Sequence, residues 1–206
     1  MNVDFKKKEI KAFFKAIRAS DLSTVSQLVN TNKAYVNVCS FAPPKKDDGQ
    51  SGLQVAFKTG NFDIALFLIK NGADINFMEK SEVNNWTAPV LHDCIRAAIF
   101  NSYTLEKDTS IFDQALSLLK LMLSEKANPN AIDSYGNNCL HRALLDSRQM
   151  IHHPDADFTN EILLNQLRSI FKELINAGAD VNQINDTRPS VLNFIANFNI
   201  EKYELL

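Results

Sequence analysis

The sequence predicts an all-α solenoid of about four stacked helix pairs plus a C-terminal capping helix, with two insertions between paired helices. Three observations predict it. Two long stretches repeat one another in residue type and order. Apolar residues between their landmarks recur at helical spacing. The landmarks sit a near-constant distance apart, and the departures come in blocks rather than as scattered single residues.

The clearest unit opens with Asp48-Gly49-Gln50-Ser51-Gly52-Leu53-Gln54-Val55-Ala56, passes Gly60-Asn61 and closes at Gly72-Ala73-Asp74-Ile75-Asn76. A second opens with Asp133-Ser134-Tyr135-Gly136-Asn137-Asn138-Cys139-Leu140-His141-Arg142-Ala143 and closes at Ala177-Gly178-Ala179-Asp180-Val181-Asn182. These two stretches closely resemble the ankyrin repeat. Two weaker units share the frame. One runs from Val90-Leu91-His92 to Ala127-Asn128-Pro129-Asn130. The other holds Phe13, Ala16, Ser20-Asp21, Leu22, Val25, Leu28 and Val29, and ends at Val36-Asn37. A half-unit, Ser190-Val191-Leu192-Asn193, starts a last helix, in which Phe194, Ile195 and Phe198 are expected to close the final apolar face. The reading is one domain over 1–206, with repeats at about 5–37, 46–76, 84–130 and 133–182 and a capping half-repeat at 185–206.

The pattern has a physical basis. A glycine before the first helix permits a tight turn at positive φ, and a glycine after the second permits a left-handed C-cap. Leu53, Ala56, Leu140 and Ala143 let helices approach closely. The closing Asn is suited to holding the turn through side-chain bonds to backbone. Each helix pair hides one face only, so pairs must stack.

Asn76 follows Leu53 by 23 residues, Asn130 follows Leu91 by 39, and Asn182 follows Leu140 by 42. The third and fourth repeats therefore carry 16 and 19 extra residues, around Asn101-Ser102-Tyr103 and His152-His153-Pro154-Asp155. They are expected to lengthen the helices and add a loop. Leu163, Leu167, Ile170 and Leu174 form a helical stripe, and Ser110 with Asp113 reads as a cap. Leu140 and Leu192 follow the preceding Asn by 10, but Leu53 does so by 16 and Leu91 by 15. The first two turns are enlarged, and long loops in compact arrays tend to carry function.

The net charge of −2 argues against nucleic acid as a partner, and no apolar run reaches the length of a membrane span. Lys6-Lys7-Lys8 reads as a solvated helix start. Met1 to Glu9 lacks a signal-peptide core, so a cytoplasmic location is expected; the chain is also expected to be a monomer. Cys39, Cys94 and Cys139 have no metal-knuckle or redox spacing; Cys94 and Cys139 are expected as packing residues. Neither a catalytic set nor a cofactor motif is found, so the expectation is a non-enzymatic protein without cofactor or metal.

The resemblance implies that a partner protein contacts the turn tips and the outer face of each first helix. Carried over by position, the candidates are Asp47, Asp48, Gln50, Lys58, Asn85, Trp86, Arg96, Tyr135, Asn137 and Asp146. Trp86, Tyr135 and Arg96 are of the types most enriched in binding hot spots. Trp86 has an alternative, folding back onto Phe77 and Met78. His92 and His141 are implied to hydrogen-bond neighbouring turns. The wording at 43–51, with Ala88 to Asp93, resembles a bacterial subfamily, and an immunity-like role masking a partner is one narrower expectation. A regulator binding a small molecule or metal through the His152-His153 insert is the rival.

Overall fold

The structure, a computed structural model, describes residues 7–41, 45–104 and 107–206. Lys6 and the Pro43-Pro44 pair lie outside the described residues. Among the described residues the regular elements are all helical: α1 (Lys7–Arg18), α2 (Leu22–Thr31), α3 (Gly52–Lys58), α4 (Phe62–Lys70), α5 (Val90–Phe100), α6 (Ser110–Ser124), α7 (Cys139–Ile151), α8 (Ile162–Asn176) and α9 (Val191–Phe198), with three short 3-10 turns. Among the described residues, pairing between extended segments is limited to isolated bridges in the turns, such as Cys39 with Ser51 and Met78 with Pro89. The all-α helix-pair architecture is therefore as expected. The chain forms two compact units, Met1–Asp93 and Cys94–Leu206.

In the first unit α1 packs on α2 and on α3, α3 on α4, and α2 on α4, which is two stacked pairs. Their shared interior is Phe13, Phe14, Ile17, Val25, Val29, Leu53, Ala56, Ile64, Ala65 and Leu68, each 1% exposed or less. The helix starts are set locally. Asp21 accepts from the Thr24 N–H at 2.9 Å, while Ser51 and Gln54 form a reciprocal capping box. Asn61 ties the pairs together, its Nδ2 donating to the Ile17 carbonyl at 2.7 Å. The closing Asn acts across repeats. Asn37 donates to Gly72 O at 3.1 Å and accepts from Asp74 N at 2.8 Å.

The same device recurs in the second unit, where Asn130 donates to Gly178 O and accepts from Asp180 N, both at 2.8 Å. Here α6 packs on α8, α7 on α8, and α7 on α9. The insertions do lengthen the helices. α5 and α7 have 11 and 13 residues against 7 in α3, and α6 and α8 have 15 each against 9 in α4. The expected Ser110–Asp113 cap is corrected. Ser110 is the first helical residue, and Asp108 accepts from both its N–H and its hydroxyl at 2.9 Å. Cys94 and Cys139 are buried packing residues, and burial pushes the Cys139 thiol far above its ordinary value.

The C-terminal closure differs from expectation. Phe194, Ile195 and Phe198 are only partly covered, whereas Ile200 and Leu205 are buried at 1% and 4%. The tail after α9 folds back: Arg168 Nη2 donates to Tyr203 O at 3.0 Å, and the Tyr203 ring stacks on Phe158 at 5.6 Å. The tail thus pins the second insertion.

Gly72 and Gly178 have φ of +89° and +92°, and a methyl group at either would meet nothing within 4 Å. Replacement by Ala therefore isolates the backbone term. Each is expected to cost about 1–2 kcal/mol in chemical denaturation. An unchanged urea midpoint in both variants would contradict the left-handed caps.

Candidate partner-binding surface

In the first unit the enlarged turns are bound to one another. Lys80 N donates to Gly49 O at 2.8 Å, Ser81 Oγ to Asp48 Oδ2 at 2.9 Å, and Asn84 Nδ2 to Lys45 O at 3.3 Å. Gly49, at φ +71°, is required where the turns meet, because a Cβ there would fall 2.0 Å from Ser81 N. Glu79 is buried beneath them. Burial raises its carboxyl above the ordinary value, opposed by Lys58 and by hydrogen bonds from Asn84 and Gln50. The extra residues thus spend much of their polarity on each other.

This arrangement corrects two expectations about exposed tips. Asp47 is 3% exposed and bonded to Arg18 Nη1 at 2.5 Å, and Gln50 is 1% exposed. A carboxylate carried under a turn needs a cation, and Arg18 at the end of α1 supplies it. Asp48 is half-buried, Trp86 is half-buried, and Asn85 and Lys58 are exposed.

In the second unit the turn after α6 is held by Asp133. Its Oδ1 accepts from Tyr135 N and from Asn137 N, both at 2.9 Å, and its Oδ2 from Asn137 Nδ2 at 3.0 Å. The next turn grips this one. Arg188 Nε donates to Asn137 Oδ1 at 2.7 Å, Asn185 Nδ2 to Gly136 O at 2.8 Å, and Thr187 Oγ1 to Tyr135 O at 3.1 Å. Asn137 is therefore corrected from an exposed tip to a buried strut, 3% exposed. Tyr135 remains 48% exposed on this braced turn.

Asp146 is also corrected. It has no exposed surface and accepts from Arg142 Nε at 3.0 Å and Nη2 at 2.7 Å, with Arg96 Nη1 at 3.9 Å. Burial raises its carboxyl, and the two guanidiniums oppose that. The helical rule that sets Asp146 four residues from Arg142 makes the pair. Chain α7 then buries it instead of presenting it. Arg96 keeps a partly exposed guanidinium, lying 5.4 Å from the Phe100 ring centroid.

His141 joins neighbouring turns as the resemblance implies. Nε2 donates to Pro189 O at 2.8 Å, so in the neutral ring Nδ1 is free to accept from Asn138 N at 3.4 Å. Burial lowers its basicity, outweighing the carbonyl that favours a proton. Between the ordinary value of about 6.5 and the lower folded value, the unfolded chain binds more protons. Stability from His141 is therefore present above about pH 6.5 and lost as the pH falls through that window. The raised carboxyls of Asp146 and Glu79 act oppositely, favouring the fold at lower pH. Comparing wild type with His141→Gln between about pH 7.5 and 5.5 separates them. The wild type is expected to lose more stability than the variant; equal losses would remove the His141 contribution.

The insertion at 152–157 is a local turn. Asp155 N donates to His153 Nδ1 at 3.2 Å, and the Asp155 carboxylate lies 3.6 Å from that ring. Among the described residues no group of three or more His, Cys, Asp or Glu is arranged to hold a metal.

One class of surface residue escaped the sequence reading. Two positions after each closing Asn stand Cys39, Met78, Ile132 and Ile184. Met78 is 39% exposed, Ile132 41% and Ile184 70%. The signal was a register position that is apolar in every repeat yet belongs to no helical stripe. Phe41 and Val83, in the enlarged turns, are 64% and 60% exposed.

No family model matches the chain. A protein of fowlpox virus (strain NVSL), named as an ankyrin repeat protein, is 27% identical over 161 residues, covering 70% of this chain and 42% of that protein. The chain thus spans less than half the length of that relative. Together with the helix pairs and their cross-repeat Asn bonds, this likeness supports an ankyrin-repeat identity for the chain.

Proposed function

We propose that this chain is a non-enzymatic scaffold that binds another protein through its turn tips and first-helix faces. The observation that carries this reading is the exposed apolar set Ile132, Tyr135 and Ile184 on two turns braced by side-chain bonds. Exposed apolar groups on rigid backbone are costly to leave in water and bind with little cost of backbone ordering. Phe41, Val83 and Met78 offer a comparable set on the first unit. Of the residues carried over by position, Lys58, Asn85, Trp86, Arg96 and Tyr135 stay within the proposal as contacts. Asp47, Gln50, Asn137 and Asp146 enter it as the supports of those contacts, and Asp48 as both.

The repeats are proposed to act as one domain, working in the cytoplasm. No helix among the described residues is long and apolar enough to cross a membrane. A bacterial source and an immunity-like masking role are the narrower forms of the proposal; the viral relative lends them no support.

The test is affinity capture from the source organism followed by titration calorimetry with the recovered protein. Tyr135→Ala and Ile184→Ser are each expected to weaken binding by about tenfold or more, with circular dichroism unchanged. Lys120→Ala, on α6, is expected to leave affinity alone. Wild-type affinity in both tip variants would send the reading to another face.

A further inference from the structure

The cations of the second unit are sorted by type. Its segments 94–100, 131–151 and 183–198 make up the rest of α5, helices α7 and α9, and the two intervening turns. They contain Arg96, Arg142, Arg148 and Arg188 and no lysine. The cations of α6 and α8 are mostly lysines, Lys120 and Lys172, beside Arg168, Asp113 and Glu173. The arginine segments form one layer. Arg96 of α5 reaches Asp146 of α7, Arg148 of α7 lies 4.5 Å from the Phe198 ring of α9, and Arg188 bonds Asn137. Their acids, Asp133, Asp146 and Asp186, offset three of the four charges, Asp146 by pairing with Arg142 beside Arg96. Asp133 and Asp146 are buried at 3% and 0% and already engaged, which leaves Asp186 as the exposed carboxylate. Four guanidiniums against three carboxylates leave an excess of one positive charge, presented outward by Arg148, Arg188 and the partly exposed Arg96, on a chain whose net charge is −2.

The geometry points to a partner segment rich in carboxylates and interrupted by apolar side chains, docked on this layer of the second unit. This deepens the scaffold reading and rests on it. Arginine suits that partner better than lysine, because its planar fork takes a carboxylate in two parallel bonds and stacks on rings. Arg96 over Phe100 and Arg148 over Phe198 hold two of the forks against aromatic faces. Tyr135, Ile184 and Leu192, at 48%, 70% and 47% exposure, interleave the charges with apolar area. A nucleic-acid backbone would leave that area wet, whereas an acidic polypeptide with apolar residues covers both.

The probe is a fluorescein-labelled peptide of ten glutamates with two interspersed tryptophans, read by anisotropy at low salt against the full chain. A matched peptide with glutamine for glutamate and a single-stranded oligonucleotide of equal charge are the comparisons. Binding of the glutamate peptide is expected, with the glutamine peptide weaker by about tenfold or more. Arg148→Gln with Arg188→Gln should weaken it by a similar factor, while Lys120→Gln with Lys172→Gln, an equal charge loss, should not. Arg148→Lys, which keeps the charge and disturbs the fold least, should show part of the loss. Equal loss in the arginine and lysine pairs, no preference for glutamate over glutamine, or tighter binding of the oligonucleotide would each overturn the proposal. Capture of a cellular partner whose binding ignores the arginine substitutions would overturn it too, while leaving the scaffold reading intact.

Discussion

Replacing Arg142 by Met is expected to destabilise the fold by about 3–5 kcal/mol, one of the two largest effects anticipated for a single substitution here. Asp146 has no exposed surface, and Arg142 supplies its two short bonds, at 3.0 and 2.7 Å. Removing that fork leaves a buried carboxylate with Arg96 at 3.9 Å, beyond hydrogen-bond length. The carboxylate must then take up a proton or draw in water, and either choice costs stability. Losing both partners should hurt less than losing one. Arg142→Met combined with Asp146→Leu is expected to recover much of the loss, because apolar side chains need no compensation. Urea denaturation of the two single variants and the double gives the coupling directly. If Arg142→Met alone costs under about 1 kcal/mol, the pair behaves as a surface salt bridge and its burial has been misjudged.

Phe13→Ala is expected to cost about 3–5 kcal/mol through the cavity it leaves in the first unit. Phe13 has no exposed surface and packs edge-on to Phe14 at 5.5 Å and against Tyr35 at 5.4 Å. Its ring also lies over Gly52, where a methyl group would stand 3.0 Å from Phe13 Cε1 and 3.1 Å from Ile17 Cδ1. The fit predicts a companion result of opposite origin. Gly52→Ala should overpack the site and cost about 1–3 kcal/mol. With Phe13 already truncated, the same methyl group should cost little or become favourable. A Gly52→Ala penalty that persists unchanged in the Phe13→Ala background would place the close approach elsewhere.

Residue by residue, the legible part of this protein was the part encoded by local spacing. Glycines at 49, 72, 136 and 178 marked positive-φ turns from sequence alone, and all four have φ between +71° and +92°. The extra residues between Leu91 and Asn130 and between Leu140 and Asn182 read correctly as longer helices. Buried Cys94, Cys139, Ala56 and Ala143 followed from the same register. Sequence spacing was weaker at Ser110, where two neighbouring acids could serve the helix start and the backbone chose Asp108 over Asp113.

The binding candidates show where local pattern ran out. Position in a repeat told which residues stand near a turn tip or on the outer face of a first helix, and Tyr135 is exposed on its turn and Lys58 at the end of α3. It did not tell that Asp47 would meet Arg18, that Asn137 would brace Arg188, or that Asp146 would be covered beside Arg142 and Arg96. Two of these three partnerships join residues 29 and 51 positions apart. The third needs α5 laid against α7 to be complete. The tail after α9 is similar: nothing local links Tyr203 to Phe158 or to Arg168.

The sequence by itself determined the helix pairs, the lengthening of the later ones and the glycine turns, because each depends on backbone preferences and on the 3.6-residue period. It marked the closing asparagines as turn-holders, and the tertiary structure decided that Asn37 and Asn130 bond across to the next repeat. Only the tertiary structure decided which polar tips remain available. A charge near a turn is exposed or buried according to what the next repeat sets beside it. That neighbour is remote in sequence, so its desolvation and its counter-charge are written in no single repeat.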